Sequence, residues 1–242
     1  MRDDLLDAYA AVDWAVAQLP AIRQQFEAWL KAPPYFLVIE PCPEVGQRHF
    51  KLGINRPLPP TLNAGVGAVT NSIRTSLDLL ASSLAARNGK SPSADRHFPI
   101  YSSVHDFIDP LNAKQRKDWL SERERCLIEK LKPYDGGNDL LFALHRLDVM
   151  RKHERLIAVH LVPTSAHIAP ESSLRDVHFP TPWPGFKDGA VIAWTPIDAP
   201  DSDVDIAADI AFNEACFLTN KPVMTTLRQF AGLAESIIQL FE

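Results

Sequence analysis

The stretch NDLLFALHRLDVMRKHERLIAV, from Asn138 to Val159, decides the fold of this 242-residue chain. Its apolar residues recur at helical spacing, which predicts a helix with a buried stripe. That stripe comprises Leu140, Leu144, Leu147 and Met150. A second stripe mixes apolar and polar residues: Phe142, Arg146, Val149 and His153. Because a helix with two inward stripes packs on more than one side, we expect this helix to be central.

Two long helices and a β-hairpin are predicted before the central helix. Apolar residues at steps of three and four predict a helix over residues 3–32 and a second one that opens at Pro59-Pro60-Thr61 and runs to about Arg87. Pro20 should bend or split the first of them. Between the helices, the β-rich runs at residues 35–40 and 47–54 flank a turn-rich link and predict a hairpin.

The segment between the second long helix and the central helix carries weaker signals. We expect residues 90–112 to be an irregular connection with one short helix, since Ser103 and Asp106 form a weak capping box. Ser121 and Glu124 form a better capping box. They predict the start of a helix that ends before Pro133.

Strand patterns replace helical ones after Leu156. Strands are predicted within residues 156–169, 177–179, 191–195 and 204–212, and a last helix is predicted from Pro222. Because the strands follow one another without long crossovers, their sheet should be antiparallel.

The fold class predicted is α+β, with a helical bundle packed against an antiparallel β-sheet. Residues 1–242 are expected to form a single domain. Its helical part runs to about residue 158 and includes the hairpin at 35–54; a β-rich part spans about 159–215 and a C-terminal helix spans 222–242.

Composition limits the classes of function. The net charge of −5 and pI of about 5.9 argue against a broad nucleic-acid-binding face but allow a small basic patch. Three scattered cysteines indicate a reducing compartment. The acidic amphipathic N-terminus is not typical of a signal peptide, and no apolar run is long enough to cross a membrane. We therefore expect a soluble cytoplasmic protein.

Known catalytic motifs are absent from the sequence. It contains no P-loop, no dinucleotide-binding glycine fingerprint and no zinc-protease motif. The eight histidines show no spacing that favours a metal site. We therefore predict no cofactor and no metal.

The sharpest candidate for chemistry is the pair Arg146 and His153. Seven residues at about 100° each return to the same helix face two turns later. A histidine can act as general acid or base near neutral pH, and an arginine can hold a phosphate. Asn71 and Asp78, on one strip of the second long helix with Arg74, could orient the pair. The alternative is that the cations are simply the solvated end of a helix.

Two short stretches resemble a family. IRTSLDLLASSL, residues 73–84, resembles the L-R-S-A-L-D-H-L signature of a group of bacterial helical proteins without an assigned activity. In that group an N-I-D-K-H-R segment follows later and precedes an apolar run, where this chain has VMRKHERL, residues 149–156. Arg74, Leu77 and Asp78 match the first motif, and Lys152 and His153 match the second. The chain departs from the motifs at Leu79, Val149 and Arg151, where the group has histidine, asparagine and aspartate.

The spacing of Arg146 and His153 also resembles the HEPN superfamily of small helical ribonucleases and defence proteins. Their motif is an arginine, four to six residues and a histidine, usually brought together in a dimer. Six residues separate the two here. The resemblance implies a homodimer acting on RNA, whereas the β-rich segment after Leu156 is not part of the usual HEPN domain.

Two functions of different class follow from the sequence. The first is a metal-independent ribonuclease or nucleotide-binding protein, with His153 as acid/base group, Arg146 as phosphate clamp, and Asn71, Arg74, Asp78 and Lys152 in support. The second is a non-enzymatic binding or scaffold protein in which these residues form a structural polar network. A small-ligand pocket near Trp183 and Trp194 is a third alternative.

Overall fold

The computed structural model describes residues 2–32, 34–91, 93, 96–168, 177–181, 187–199, 204–214 and 218–242. Within these ranges, helices pack against antiparallel sheets, so the predicted α+β class is confirmed. Trp183, one of the two aromatic residues considered for a ligand pocket, lies outside the described residues. Trp194 is described, and its ring stacks on that of His178 with 5.9 Å between centroids.

The helices of the described residues agree in most bounds with the sequence predictions. They are α1 (Leu6–Lys31), α2 (Pro60–Arg87), α3 (Val104–Ile108), α4 (Pro110–Trp119), α5 (Glu122–Leu131), α6 (Asp139–His153) and α7 (Val223–Gln239). Pro20 lies inside α1 without splitting it. The capping box of Ser121 and Glu124 begins α5 as predicted, and the Ser103 side chain caps α3.

Helix α4 was not predicted from the sequence, which indicated an irregular connection up to residue 112. The helix forms because the Asp109 carboxylate accepts hydrogen bonds from the backbone N–H groups of Leu111 and Asn112. Pro110 occupies the first helical position, where a missing N–H costs nothing. This helix matters for function because it carries Arg116 and Trp119.

The main core lies between α1, α2, α6 and α7. Helix α2 packs against the other three, and α6 packs against both α2 and α7, as its central position predicts. Leu144 and Leu147 of the first α6 stripe are buried in this core. The second stripe does not point inward along its whole length, because Arg146 and His153 are exposed.

The strands of the described residues form two antiparallel sheets rather than one. Strands β1 (Tyr35–Cys42), β2 (Gln47–Ile54) and β4 (Val191–Pro196) pair in the order β1-β2-β4, and β3 (Val159–Ile168) pairs with β5 (Val204–Phe212). The predicted hairpin is confirmed, but it belongs to the same sheet as β4 from the β-rich half. Of the strand predicted at 177–179, only a bridge between His178 and Trp194 forms in the described residues.

An ion pair with a buried carboxylate ties the end of α6 to the end of β5. Arg155 donates from Nη1 and Nη2 to the two carboxylate oxygens of Glu214, at 2.8 and 2.7 Å. The backbone N–H of Ala158 donates to the same carboxylate. Since Glu214 is only 2% exposed, this contact fixes where the chain leaves the helix that carries His153.

Candidate functional site

A polar cavity of about 410 Å³ lies between α2 and α6. Four separate segments line it: α2, residues 96–101, α4 and α6. The lining residues are Arg74, Asp78, Arg96, His97, Phe98, Pro99, Ile100, Tyr101, Gln115, Arg116, Trp119, His145, Asp148, Val149, Lys152 and His153. We call this space the α2–α6 cavity.

The α2 side of the cavity is built on an ion pair within one helix turn. Arg74 donates from Nη1 to Asp78 Oδ1 at 2.6 Å, and its side chain is only 3% exposed. The backbone N–H of Phe98 donates to the same carboxylate oxygen at 2.8 Å, and Arg74 Nη2 donates to the Phe98 carbonyl. Asp78 and Arg74 therefore hold the 96–101 segment against α2.

The α6 side of the cavity contains the buried carboxylate of Asp148. Its oxygens accept hydrogen bonds from Asn71 Nδ2 at 2.8 Å and from Lys152 Nζ at 2.6 Å. The Lys152 contact joins residues four apart on α6, which face each other on a helix. Asp148 thus links α2 to α6 and fixes the position of the Lys152 ammonium.

His145 is a mostly buried imidazole between these two carboxylates. Burial, reinforced by the nearby Arg74 guanidinium, lowers its pKa from 6.5 to about 4. Arg74 Nε lies 3.4 Å from His145 Nδ1 and donates toward it. Because Nδ1 accepts this hydrogen bond, the neutral ring carries its proton on Nε2. At neutral pH His145 is therefore an uncharged hydrogen-bond donor.

The α4 side of the cavity is organised by the buried Arg116. Its guanidinium donates to Tyr101 Oη at 2.9 Å and to the Phe107 carbonyl at 2.7 Å, and it lies 4.4 Å from the Phe107 ring centroid. Arg96 lies over the half-buried Trp119 ring at 5.9 Å. Two cations and two aromatic rings, Tyr101 and Trp119, consequently line the same cavity.

We call three exposed side chains of the cavity wall the open side: His97, Lys152 and His153. The side chains of His97 and Lys152 are 63% and 39% exposed, and His153 is also exposed. Within the part of the chain that the structure describes, the His153 imidazole has no hydrogen bond or ion pair. We call Arg74, Asp78 and Asp148, whose charged groups are bonded within the chain, the inner side.

The residues predicted as a site divide between the cavity and its surroundings. Arg74, Asp78, Lys152 and His153 line the cavity, whereas Arg146 is exposed and is not among the lining residues. The cavity face of α6 is formed by residues 145, 148, 149, 152 and 153, and Arg146 lies about 100° around the helix from His145. The arginines that line the cavity are instead Arg74, Arg96 and Arg116.

The orienting roles expected for Asn71 and Asp78 are filled by other contacts. Asn71 does not line the cavity and hydrogen-bonds Asp148. Asp78 bonds Arg74 and Phe98 and has His97 as a neighbour, with 3.4 Å between Asp78 Oδ2 and His97 Nδ1. Neither residue therefore has the partner predicted from the sequence.

Several lining residues were not found by sequence reasoning: Arg96, His97, Tyr101, Arg116, Trp119, His145 and Asp148. For Asp148 the signal was present, since it precedes Lys152 by four residues on the same helix as His153. His97 carried no comparable signal, because it lies in a connection without regular structure. Its position depends on the bonds that Phe98 makes to α2.

The structure brings together residues from both family-like motifs. Arg74 and Asp78 match the first motif, Lys152 and His153 match the second, and all four line the α2–α6 cavity. No family model matches the chain, and no similar curated protein or solved structure was found.

The described residues contain neither a metal-binding cluster nor a membrane-spanning helix. No three His, Cys, Asp or Glu side chains group there as a metal site requires. In the same ranges, no helix combines the length and apolar character needed to cross a membrane.

Proposed function

We propose that this protein binds a phosphate-bearing ligand of the nucleotide type in the α2–α6 cavity. The observation that carries the proposal is the charge of the lining. Four arginine or lysine residues face two aspartates there, in a chain whose net charge is −5. A local excess of positive charge against an acidic background favours an anionic ligand.

The donors available to a phosphate are those of the open side. Arg74, Arg96 and Arg116 already donate to groups of the chain, whereas the Lys152 ammonium has three N–H donors and uses one toward Asp148. The exposed His153 is the adjacent residue. Lys152 and His153 are therefore the groups that we assign to the phosphate.

The aromatic lining favours a nucleotide over inorganic phosphate. Tyr101 and Trp119 are half-buried in the cavity wall, and bases of nucleotides stack on such rings. A volume of about 410 Å³ falls within the range of small-ligand sites. A phosphate at Lys152 with a base against these rings uses both features of the lining.

We propose that this site catalyses the ribonuclease reaction predicted from the sequence. In it His153 transfers a proton as general acid or base, and Lys152 takes the clamping role first assigned to Arg146. The active form that we propose is a homodimer, as the HEPN resemblance implies, and its proposed location is the bacterial cytoplasm. Sedimentation of the purified protein measures the dimer directly.

Titration calorimetry with the four 3′-mononucleotides and with inorganic phosphate tests the binding function. We expect His153→Ala and Lys152→Gln to weaken nucleotide binding about 10- to 100-fold, the effect of losing a charge-assisted hydrogen bond. The amide of the introduced glutamine would still be able to donate toward Asp148, which limits the structural damage.

The matched controls are His105→Ala and Lys117→Gln, at exposed positions outside the cavity lining. Both should bind like the wild type. The proposal is wrong if the wild type binds none of the mononucleotides at millimolar concentration, or if controls and cavity variants lose affinity equally.

A specific observation favours the second function, a structural polar network without chemistry. The inner side is bonded within the chain: Asp78 to Arg74 and Phe98, and Asp148 to Asn71 and Lys152. Under this alternative, variants of Asp78 and Asp148 lower stability, and the cavity binds no nucleotide. The calorimetry separates the two functions.

A further inference from the structure

His97 occupies an unusual position for a residue of an irregular connection. It is largely exposed on the open side of the α2–α6 cavity, yet its Nδ1 lies 3.4 Å from Asp78 Oδ2. The other oxygen of Asp78 is held by Arg74 Nη1 and by the backbone N–H of Phe98, at 2.6 and 2.8 Å. The carboxylate is thus fixed from two sides, and its remaining oxygen faces the imidazole.

This contact determines which ring nitrogen of His97 is available. A carboxylate accepts hydrogen bonds only, so it favours the tautomer in which His97 Nδ1 carries the proton. The lone pair is then on Nε2, which has no hydrogen-bond partner in the described part of the chain. An exposed imidazole oriented by a fixed carboxylate is the arrangement that a general base requires.

We propose that His97 is a second catalytic residue of this site and that it works with His153 as an acid/base pair on an RNA phosphodiester, with Asp78 as its positioning residue. This inference rests on the proposed function. The two imidazoles belong to different segments, the 96–101 connection and the end of α6, and both line one cavity. Lys152, beside His153, supplies positive charge for the phosphate.

The reaction needs no water, metal or redox partner. The neutral imidazole of one histidine takes the proton of the ribose 2′-OH, and the 2′-oxygen forms a bond to phosphorus. The bond from phosphorus to the 5′-oxygen of the next nucleotide breaks, and that oxygen takes a proton from the other, protonated histidine. The products are a 2′,3′-cyclic phosphate end and a 5′-hydroxyl end. His97, oriented by Asp78, is the base in this direction.

His145 does not fill the acid role, although it lines the same cavity. Burial lowers its pKa to about 4, so its ring carries no transferable positive charge at neutral pH. The charged groups of the lining near His97 and His153 are Arg74, Asp78, Arg96, Arg116, Asp148 and Lys152. Only the two exposed imidazoles combine free ring nitrogens with access to a substrate.

The test is cleavage of an end-labelled RNA oligonucleotide of mixed sequence by the full-length protein, in the presence of a chelator. We expect a 2′,3′-cyclic phosphate product, a bell-shaped pH–rate profile and loss of at least about 100-fold in rate for His97→Gln and for His153→Gln. His105→Gln, an exposed histidine outside the cavity lining, should cleave like the wild type. An oligonucleotide with 2′-deoxyribose at every position should bind without being cleaved.

The role of Asp78 is tested by ¹⁵N NMR of the His97 ring. In the wild type, Nε2 should show the signal of an unprotonated nitrogen when the ring is neutral, and Asp78→Asn should produce a mixture of tautomers in the folded protein. A purely structural role for Asp78 would leave the tautomer unchanged.

The outcomes distinguish this inference from the proposed function. If the wild type binds nucleotides but cleaves no RNA, the acid/base pair is wrong and nucleotide binding stands. If RNA is cleaved equally well by His97→Gln, His97 has no catalytic role, and the chemistry belongs to His153 alone. If no nucleotide binds, both proposals fail together.

Discussion

The inner and open sides of the α2–α6 cavity differ in how far the chain satisfies its own polar groups. On the inner side, Arg74, Asp78 and Asp148 have partners within the chain at hydrogen-bond distance. On the open side, His97, Lys152 and His153 are exposed; Lys152 pairs with Asp148 at 2.6 Å, and His97 contacts Asp78 at 3.4 Å. The cavity therefore contains charged groups that stabilise the fold and charged groups that can be removed with little effect on stability. Stability and ligand affinity should respond to different substitutions.

The largest effect is expected from removing the inner carboxylate of Asp78. Asp78→Ala leaves the Arg74 guanidinium buried without its counter-ion and the Phe98 N–H without its acceptor. We expect a loss of about 3 kcal/mol in the free energy of unfolding, measured by urea denaturation. Asp118→Ala, at an exposed position of α4, is the matched control and should change stability by less than about 0.5 kcal/mol. If Asp78→Ala lost little free energy of unfolding, the inner side would not contribute more to stability than the open side.

The next effect concerns His145 and appears as pH dependence of stability. Its native pKa of about 4 lies below the ordinary value of 6.5, so between these pH values the unfolded chain binds a proton that the native protein does not. Acid therefore favours unfolding. The contribution of His145 is fully favourable above pH 6.5 and is lost progressively as the pH falls toward 4. Allowing for partial solvent exposure, the loss is about 2 kcal/mol.

Comparison with His145→Gln isolates this contribution from other titrating groups. The wild type should lose more stability than the variant between pH 6.5 and 4, as measured by urea denaturation across that range. Parallel pH profiles for the two proteins would show that burial beside Arg74 does not keep the His145 ring neutral.

The smallest effects on stability are expected from substitutions of Arg146 and His153, the pair predicted from the sequence to be active. His153→Ala and Arg146→Ala each remove an exposed side chain, so each should change stability by less than about 0.5 kcal/mol. Only His153→Ala should weaken nucleotide binding, because Arg146 does not line the cavity. Reduced affinity in Arg146→Ala would instead support the sequence-based pair and, in a dimer, indicate that Arg146 acts on the site of the other subunit.

Local signals explain why most of the fold could be predicted from the sequence. The apolar spacing of α2 and the proline before it gave both ends of a 28-residue helix. The capping box at Ser121 gave the start of α5. In the missed helix α4, the Asp109-Pro110 pair was a readable start signal, but the helix lacks a clear apolar stripe. Because α4 was not predicted, its residues Arg116 and Trp119 were not included in the predicted site.

The site was harder to predict because its geometry depends on contacts between distant segments. Helical spacing placed Arg146 and His153 near one face, but it could not show that the cavity begins at His145 and leaves Arg146 outside. It identified Asn71 and Asp78 as one strip of α2, yet their partners come from α6 and from the 96–101 connection. Pairing of β2 with β4 was missed for the same reason.

The α2–α6 cavity is assembled from four segments that are distant in sequence, so it does not exist in the unfolded chain. Any compound that binds it must therefore shift the folding equilibrium toward the native state, by an amount set by its concentration and dissociation constant. At 100 times the dissociation constant the gain is about 2.7 kcal/mol, which is enough to move a melting curve by several degrees. The melting temperature is thus a direct reporter of occupancy, and a library of metabolites can be screened against the protein before any reaction is assayed.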